Sequence, residues 1–259
     1  MTQSTLQSRQ SERGFTLVEL AIVMIIIGLL IGGILKGQEL INNARVSSTV
    51  AQAKAIESGI SAFRDKYAGI PGDILTPTTR IPGCTAAQCI IPGNGDGAIA
   101  NGAFTVFNPG AIGALGTEST VSFVHLAAAG MLGGVNGNAT VLQAGQTHPS
   151  LSIAGVWQLG TSTGALATGL VGPTLTPATA LQSGIYAAVV PAPGTAAGAG
   201  PLTPIQSANI DRKLDDGNPN GGIVRATGVA GGCADVNTED GVYNENLTTS
   251  VCGLYVKVQ

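Results

Sequence analysis

Charge is what this chain has least of. Asp, Glu, Lys and Arg make up 10% of its 259 residues, against roughly 25% in an ordinary soluble domain, so a solvated, charge-rich disordered chain is excluded. The 12 basic residues are scattered among 15 acidic ones, a net charge of −3. No basic stripe exists to neutralise phosphates. At 4%, aromatic residues are also too few for a base-stacking platform, and nucleic-acid binding is disfavoured on both counts. Cysteine is scarce, with four residues and no C-x-x-C pair. An even count without metal-type spacing suits two disulfides in an oxidising compartment. No P-loop or dinucleotide fingerprint occurs. The two histidines, His125 and His148, lack a Cys, Asp or second His at motif spacing and read as packed or surface residues. No catalytic activity and no cofactor are expected.

What the chain does have is one long apolar run. Phe15 to Leu35 is 21 residues with a single charge, Glu19, before Lys36. As a helix it measures about 31 Å, the hydrocarbon thickness of a bilayer. Arg9 and Arg13 in the short polar leader place that end on the cytoplasmic side and send the C-terminal bulk across. The run exceeds the 7–15 apolar residues, roughly, of a secretory signal, and Lys36-Gly37-Gln38-Glu39 is not a small-residue cleavage site. The span is therefore expected to be retained. A carboxylate in lipid needs a partner or a function, or else lies shallow enough to reach the headgroups, and depth alone leaves Glu19 open between these.

The sequence Arg13-Gly14-Phe15-Thr16-Leu17-Val18-Glu19-Leu20, followed by an unbroken apolar run, resembles the class III leader of type IV pilins and of the pseudopilins of type II secretion. The resemblance implies cleavage by a prepilin peptidase between Gly14 and Phe15, and N-methylation of the new Phe15 amine. It also implies pairing of Glu19 with the Phe15 amine of a neighbouring subunit. Cleavage creates a cation in lipid that an adjacent carboxylate neutralises, which makes assembly selective for the cleaved form. Gly28, Gly32, Gly33 and Gly37 form two G-x-x-x-G pairs. They let helices approach closely or weaken the helix locally, and both readings stand.

Past the span the helix continues. Val46, Val50, Ala53, Ile56, Ile60, Phe63 and Tyr67 recur every three or four residues and share one face. Gly69 and Pro71 are expected to end it. The reading is then 1–14 leader, 15–36 membrane and polymerisation helix, 37–68 amphipathic continuation, and 69–259 a globular head. In the head, helices are expected over Glu118–Met131 and from Pro204, capped by Thr203, to Leu214. Strands are expected at Leu151–Leu159, Ile185–Val190, Gly222–Ala226 and Leu254–Val258. Turn signals punctuate the chain between, as at Asn108-Pro109-Gly110, and residues 161–204 read as loops around one or two strands. The fold class is α+β, a long helix packed on a small antiparallel sheet.

Cys84 with Cys89 and Cys233 with Cys252 are the favoured nested pairs, the crossed pairing staying open because connectivity is not readable from sequence. The resemblance adds that many pilins close a C-terminal disulfide loop. Two acidic loops offer oxygens at Ca²⁺ spacing: Asn94 with Asp96, and Asp235, Asn237, Glu239 and Asp240. The second departs from EF-hand order, and acidic turns without metal are the preferred reading of both. Asn138-Ala139-Thr140 and Asn246-Leu247-Thr248 match a glycosylation sequon and read as turns.

The expectation is a filament-forming structural protein. Its partners are copies of itself, a prepilin peptidase, an inner-membrane assembly platform and, before assembly, lipid. The precursor sits in a bacterial inner membrane and the product in an extracellular pilus. The alternatives are a type II secretion pseudopilin or a minor or tip pilin with an adhesive role, the latter because 245 residues after cleavage is long for a pilin.

Overall fold

The computed structural model describes residues 15–99, 115–163, 182–192, 200–226, 232–235 and 241–259. Two compact units result, one ending at Asn43 and one from Ala44 to Gln259. A single helix, α1 (Leu17–Tyr67, 51 residues), runs through both.

Within the second unit α1 is amphipathic. Val46, Ala53, Ile56, Ile60, Phe63 and Tyr67 are buried and Val50 is partly so, with Thr49 and Gly59 completing the stripe. The helix ends at Tyr67, as expected ahead of the Gly69 and Pro71 stop signals. Ala68, at φ 47°, takes the left-handed position that glycine usually fills. Two of the carbonyls that a helix end leaves open, those of Tyr67 and Ala68, accept from the Arg80 guanidinium. Arg80 closes a one-turn helix, α2 (Pro77–Arg80), too short to show a period in a stretch whose turn signals predict only loop. Gly72, at φ 93°, lies against the first turn of the next helix, where a side chain would strike the Glu118 carbonyl. Glycine is required there on both grounds.

That next helix, α3 (Glu118–Ala128), ends three residues short of Met131. Strands β1 (Val156–Thr163) and β2 (Ser183–Val190) follow, and then α4 (Pro204–Leu214). A short strand β3 (Val224–Ala226), the two-residue strands β4 (Ala234–Asp235) and β5 (Val242–Tyr243), and β6 (Leu254–Lys257) complete the chain. The main sheet has the order β1-β2-β6-β3, all antiparallel, and β4 pairs β5. β1 begins five residues later than Leu151 and extends to Thr163, because its pairing with β2 continues to Ser183. Asn108-Pro109-Gly110 and most of the loop-like stretch 161–204 lie outside the described residues.

Successive side chains on a strand point to opposite faces, and here both faces are covered. Trp157, Leu159, Ala187, Val189, Val224, Leu254 and Val256 join the α1 stripe in one core. Val156, Tyr186, Ala188, Val190 and Tyr255 form a second, smaller cluster on the other side. A polar seam fixes the second half of α1 in place. Gln52 donates to the Ser150 carbonyl at 3.2 Å and accepts from the Trp157 indole at 3.0 Å, while Lys213 donates to Ser47 at 2.8 Å. α3 is tied to the sheet by the Ser119 hydroxyl, which donates to the Leu159 carbonyl at 2.6 Å.

Cys84 is joined to Cys89 and Cys233 to Cys252, with Cα separations of 5.3 and 5.2 Å. The second bond closes a loop of eighteen residues, and it is anchored at both ends. Cys252 exchanges backbone hydrogen bonds with Leu202, and the Cys233 carbonyl accepts from Asn244 N–H.

Candidate assembly surface at the N-terminus

Every described residue from Phe15 to Arg45 is exposed except Gly37, which is partly covered. Phe15 is 83% exposed and Leu29 73%, so among the described residues nothing covers the apolar half of α1. Nothing in water favours leaving so long a row of large apolar side chains bare. Length and composition suit a membrane span, and α1 begins at Leu17 and not at Phe15. Gly14, at the expected cleavage point, lies outside the described residues.

Glu19 sits in the first turn, where its carboxylate accepts from the backbone N–H and the hydroxyl of Thr16. A Cβ placed at Gly28, Gly32, Gly33 or Gly37 would meet no heavy atom within 4 Å. Among the described residues nothing gives a steric reason for glycine at these four positions. At the end of the span, Lys36 and Glu39 pair at 2.6 Å.

The remaining candidates resolve differently. His125 is buried, with Nδ1 accepting from Gly72 N–H at 3.0 Å and Nε2 facing the Cys89 carbonyl at 3.0 Å. It therefore carries its proton on Nε2 and acts as a buried strut, and burial pulls its pKa down to about 4. The nearby Cys84 and Cys89 sulfurs are spent in their disulfide. His148 is equally buried, beside Thr147 Oγ1 at 2.9 Å and edge-on to Phe123, and burial lowers it to about 4 as well.

Asp96 does come together with other carboxylates. Asp73, Asp96 and Glu118 lie within 4.8 Å of one another. Each is occupied with the backbone. Asp73 accepts from Gly95 and Gly97, Asp96 from Ala98, and Glu118 from Asn94. The second loop expected for Ca²⁺ is represented by Asp235 in β4, while Asn237, Glu239 and Asp240 lie outside the described residues. A different acidic group forms instead, of Asp211, Asp215 and Asp216. Its signal in the sequence is the alternation Asp216-x-Asn218-x-Asn220-Gly221, which lacks the acidic residue at the twelfth place that would complete a calcium loop. Here Asp216 caps Asn218 N–H and Asn218 caps Asn220 N–H, a chain of side-chain turns. Asp211 is buried against Tyr243, whose hydroxyl donates to it at 2.8 Å. Burial is the main reason its pKa rises to about 6.

No curated protein and no solved structure matches the chain. Residues 9–35 match the family model of the prokaryotic N-terminal methylation motif. That family consists of structural subunits, and its motif joins here to a 51-residue helix and a small antiparallel sheet. The matched motif is that of the class III prepilin leader, and the described residues join it to an α+β fold of one long helix and a small antiparallel sheet.

Proposed function

We propose that this chain is the precursor of a structural subunit of a type IV pilus-like filament. A prepilin peptidase cuts it between Gly14 and Phe15 and the Phe15 amine is methylated. Before assembly, the helix from Phe15 to Leu35 stores the subunit in the inner membrane. An assembly platform then draws it into a helical polymer of copies of itself. In the polymer the apolar halves of α1 pack together, with Gly28, Gly32, Gly33 and Gly37 at close approaches, and Glu19 neutralises a neighbour's Phe15 amine. The observation that carries this reading is the run of uncovered apolar residues that makes up and continues the methylation motif. Lipid covers that surface in storage, and neighbouring helices cover it in a fibre.

The leader is shared with pseudopilins, so the site of the polymer separates the two. The low-charge, Gly- and Thr-rich head suits an exposed fibre. Electron microscopy of sheared surface material, labelled with antibody to the head, is expected to show long fibres decorated along their length. Label confined to short periplasmic assemblies assigns the chain to type II secretion, and label only at fibre ends makes it a tip subunit. Soluble, unpolymerised protein in the medium contradicts the proposal.

A further inference from the structure

Two successive residues of α4 hold the disulfide-closed loop 233–252. Arg212 pairs with Glu245 at the surface, while Asp211 is fully buried and accepts from the Tyr243 hydroxyl at 2.8 Å and from Gly217 N–H at 3.2 Å. Negative charge crowds this contact. Asp211, Asp215 and Asp216 bring carboxylate oxygens within 4.8 Å of one another. The adjoining cations are engaged elsewhere, Arg212 with Glu245 and Lys213 with Ser47. β3 also packs on α4, but it turns Val224 into the core and Arg225 to the opposite face. In the β4–β5 pair, Asp235 stands opposite Val242, one place along from Tyr243. A carboxyl that is both desolvated and crowded by like charge keeps its proton well above the usual range. Burial first, and then repulsion from Asp216 and Asp215, raise Asp211 to about 6 against the hydrogen bonds from Tyr243 and Gly217.

We propose that Asp211 is an acid-closed latch for the 233–252 loop: protonated, it holds Tyr243 and the β4–β5 pair against α4, and ionised, it loosens that contact while the Cys233–Cys252 bond keeps the loop attached. The sign follows from linkage. Detached from Tyr243 and wetted, the carboxyl returns toward its ordinary value of about 4, so the closed form binds the proton more tightly than the open one. Acid therefore favours closure, and the opening equilibrium rises by up to about tenfold per pH unit between 4 and 6, about a hundredfold in all. Two residues per strand are too few to hold the β4–β5 pair together once it leaves α4, so its amides report the opening. All of these groups lie in the head. The latch works alike in a pilus subunit, a pseudopilin or an unassembled chain, and its failure leaves the filament reading untouched.

Amide hydrogen exchange of the full chain in detergent micelles, followed from pH 5 to 7.5, tests this. Rates at residues 242–245 are divided by the intrinsic rate at each pH and compared with those of β1, which separates local opening from loss of the whole head. Wild-type protection at 242–245 is expected to fall about tenfold from pH 5 to 7.5, with no parallel fall in β1. Asp211→Asn keeps the shape without the charge, and should protect the loop at pH 7.5 as well as wild type does at pH 5, with no slope. Asp216→Asn, at an exposed position, removes part of the repulsion and should move the midpoint to lower pH; it decides the matter if Asp211→Asn does not fold. Wild-type protection that stays level across the range overturns the proposal. So does the same slope in Asp211→Asn, or an unmoved midpoint in Asp216→Asn.

Discussion

At the scale of single residues, three buried ionisable groups set how this protein responds to pH. His125 and His148 are neutral when folded, with pKa values near 4, below the ordinary 6.5 or so. The unfolded chain protonates first as pH falls, so their stability contribution is complete above about 6.5 and is lost progressively down to 4. Each is worth on the order of 3 kcal/mol. Asp211 acts in the opposite sense. Its folded pKa, about 6, lies above the usual carboxylate value, so its buried charge costs stability above pH 6, and that cost fades as pH falls towards 4. Asp215 and Asp216 reinforce the effect by repulsion, and Tyr243 opposes it by hydrogen bonding. Between pH 6.5 and 4 wild type therefore loses a net amount on the order of 3 kcal/mol, one histidine's share, and Asp211→Asn loses roughly twice that. Thermal melts across this range check the difference. Equal slopes for the two proteins would remove Asp211 from the account.

At the scale of elements, what a segment buries decides what a mutation in it does. Ile60 is fully buried in the core, whereas Leu29 stands outside it. Ile60→Ala is expected to cost about 2–5 kcal/mol of head stability. Leu29→Ala should leave the melting temperature of the head unchanged and weaken only polymerisation. A destabilised head from Leu29→Ala, measured by calorimetry, would contradict the division of α1 into two functional halves. Elements with local signals are legible in the sequence. The 3- and 4-residue recurrence marks the α1 stripe, and Thr203, Pro204 and Gln206 announce α4 with a full capping box. Sheet order is not legible, because β6 inserts between β2 and β3 through pairings remote in sequence. Nor do the strands alternate polar with apolar, since the Tyr186 and Tyr255 face is buried too. β4 and β5, two residues each, are too short to leave a period. At the candidate site the sequence marks Glu19 as a charge in lipid, but the Thr-x-x-Glu spacing of the capping box is masked by the apolar run around it. The Asp211–Tyr243 contact is out of reach, since it joins residues 32 positions apart.

At the scale of the whole molecule, one chain carries two surfaces of opposite character. The head closes on its own core, stapled by a disulfide over eighteen residues that is worth roughly 3 kcal/mol by loop entropy. The first 29 described residues, 15–43, are exposed apart from the partly covered Gly37. On the filament reading proposed above, lipid and then neighbouring subunits cover that helix, and the methylation motif at 9–35 implies the processing that precedes assembly. The most direct test is intact-mass and N-terminal sequencing by mass spectrometry of the subunit recovered from sheared filaments. The recovered chain is expected to start at Phe15 with a methylated amine and to keep the whole apolar helix. A recovered chain that still begins at Met1, or one that begins downstream of Leu35, would contradict it.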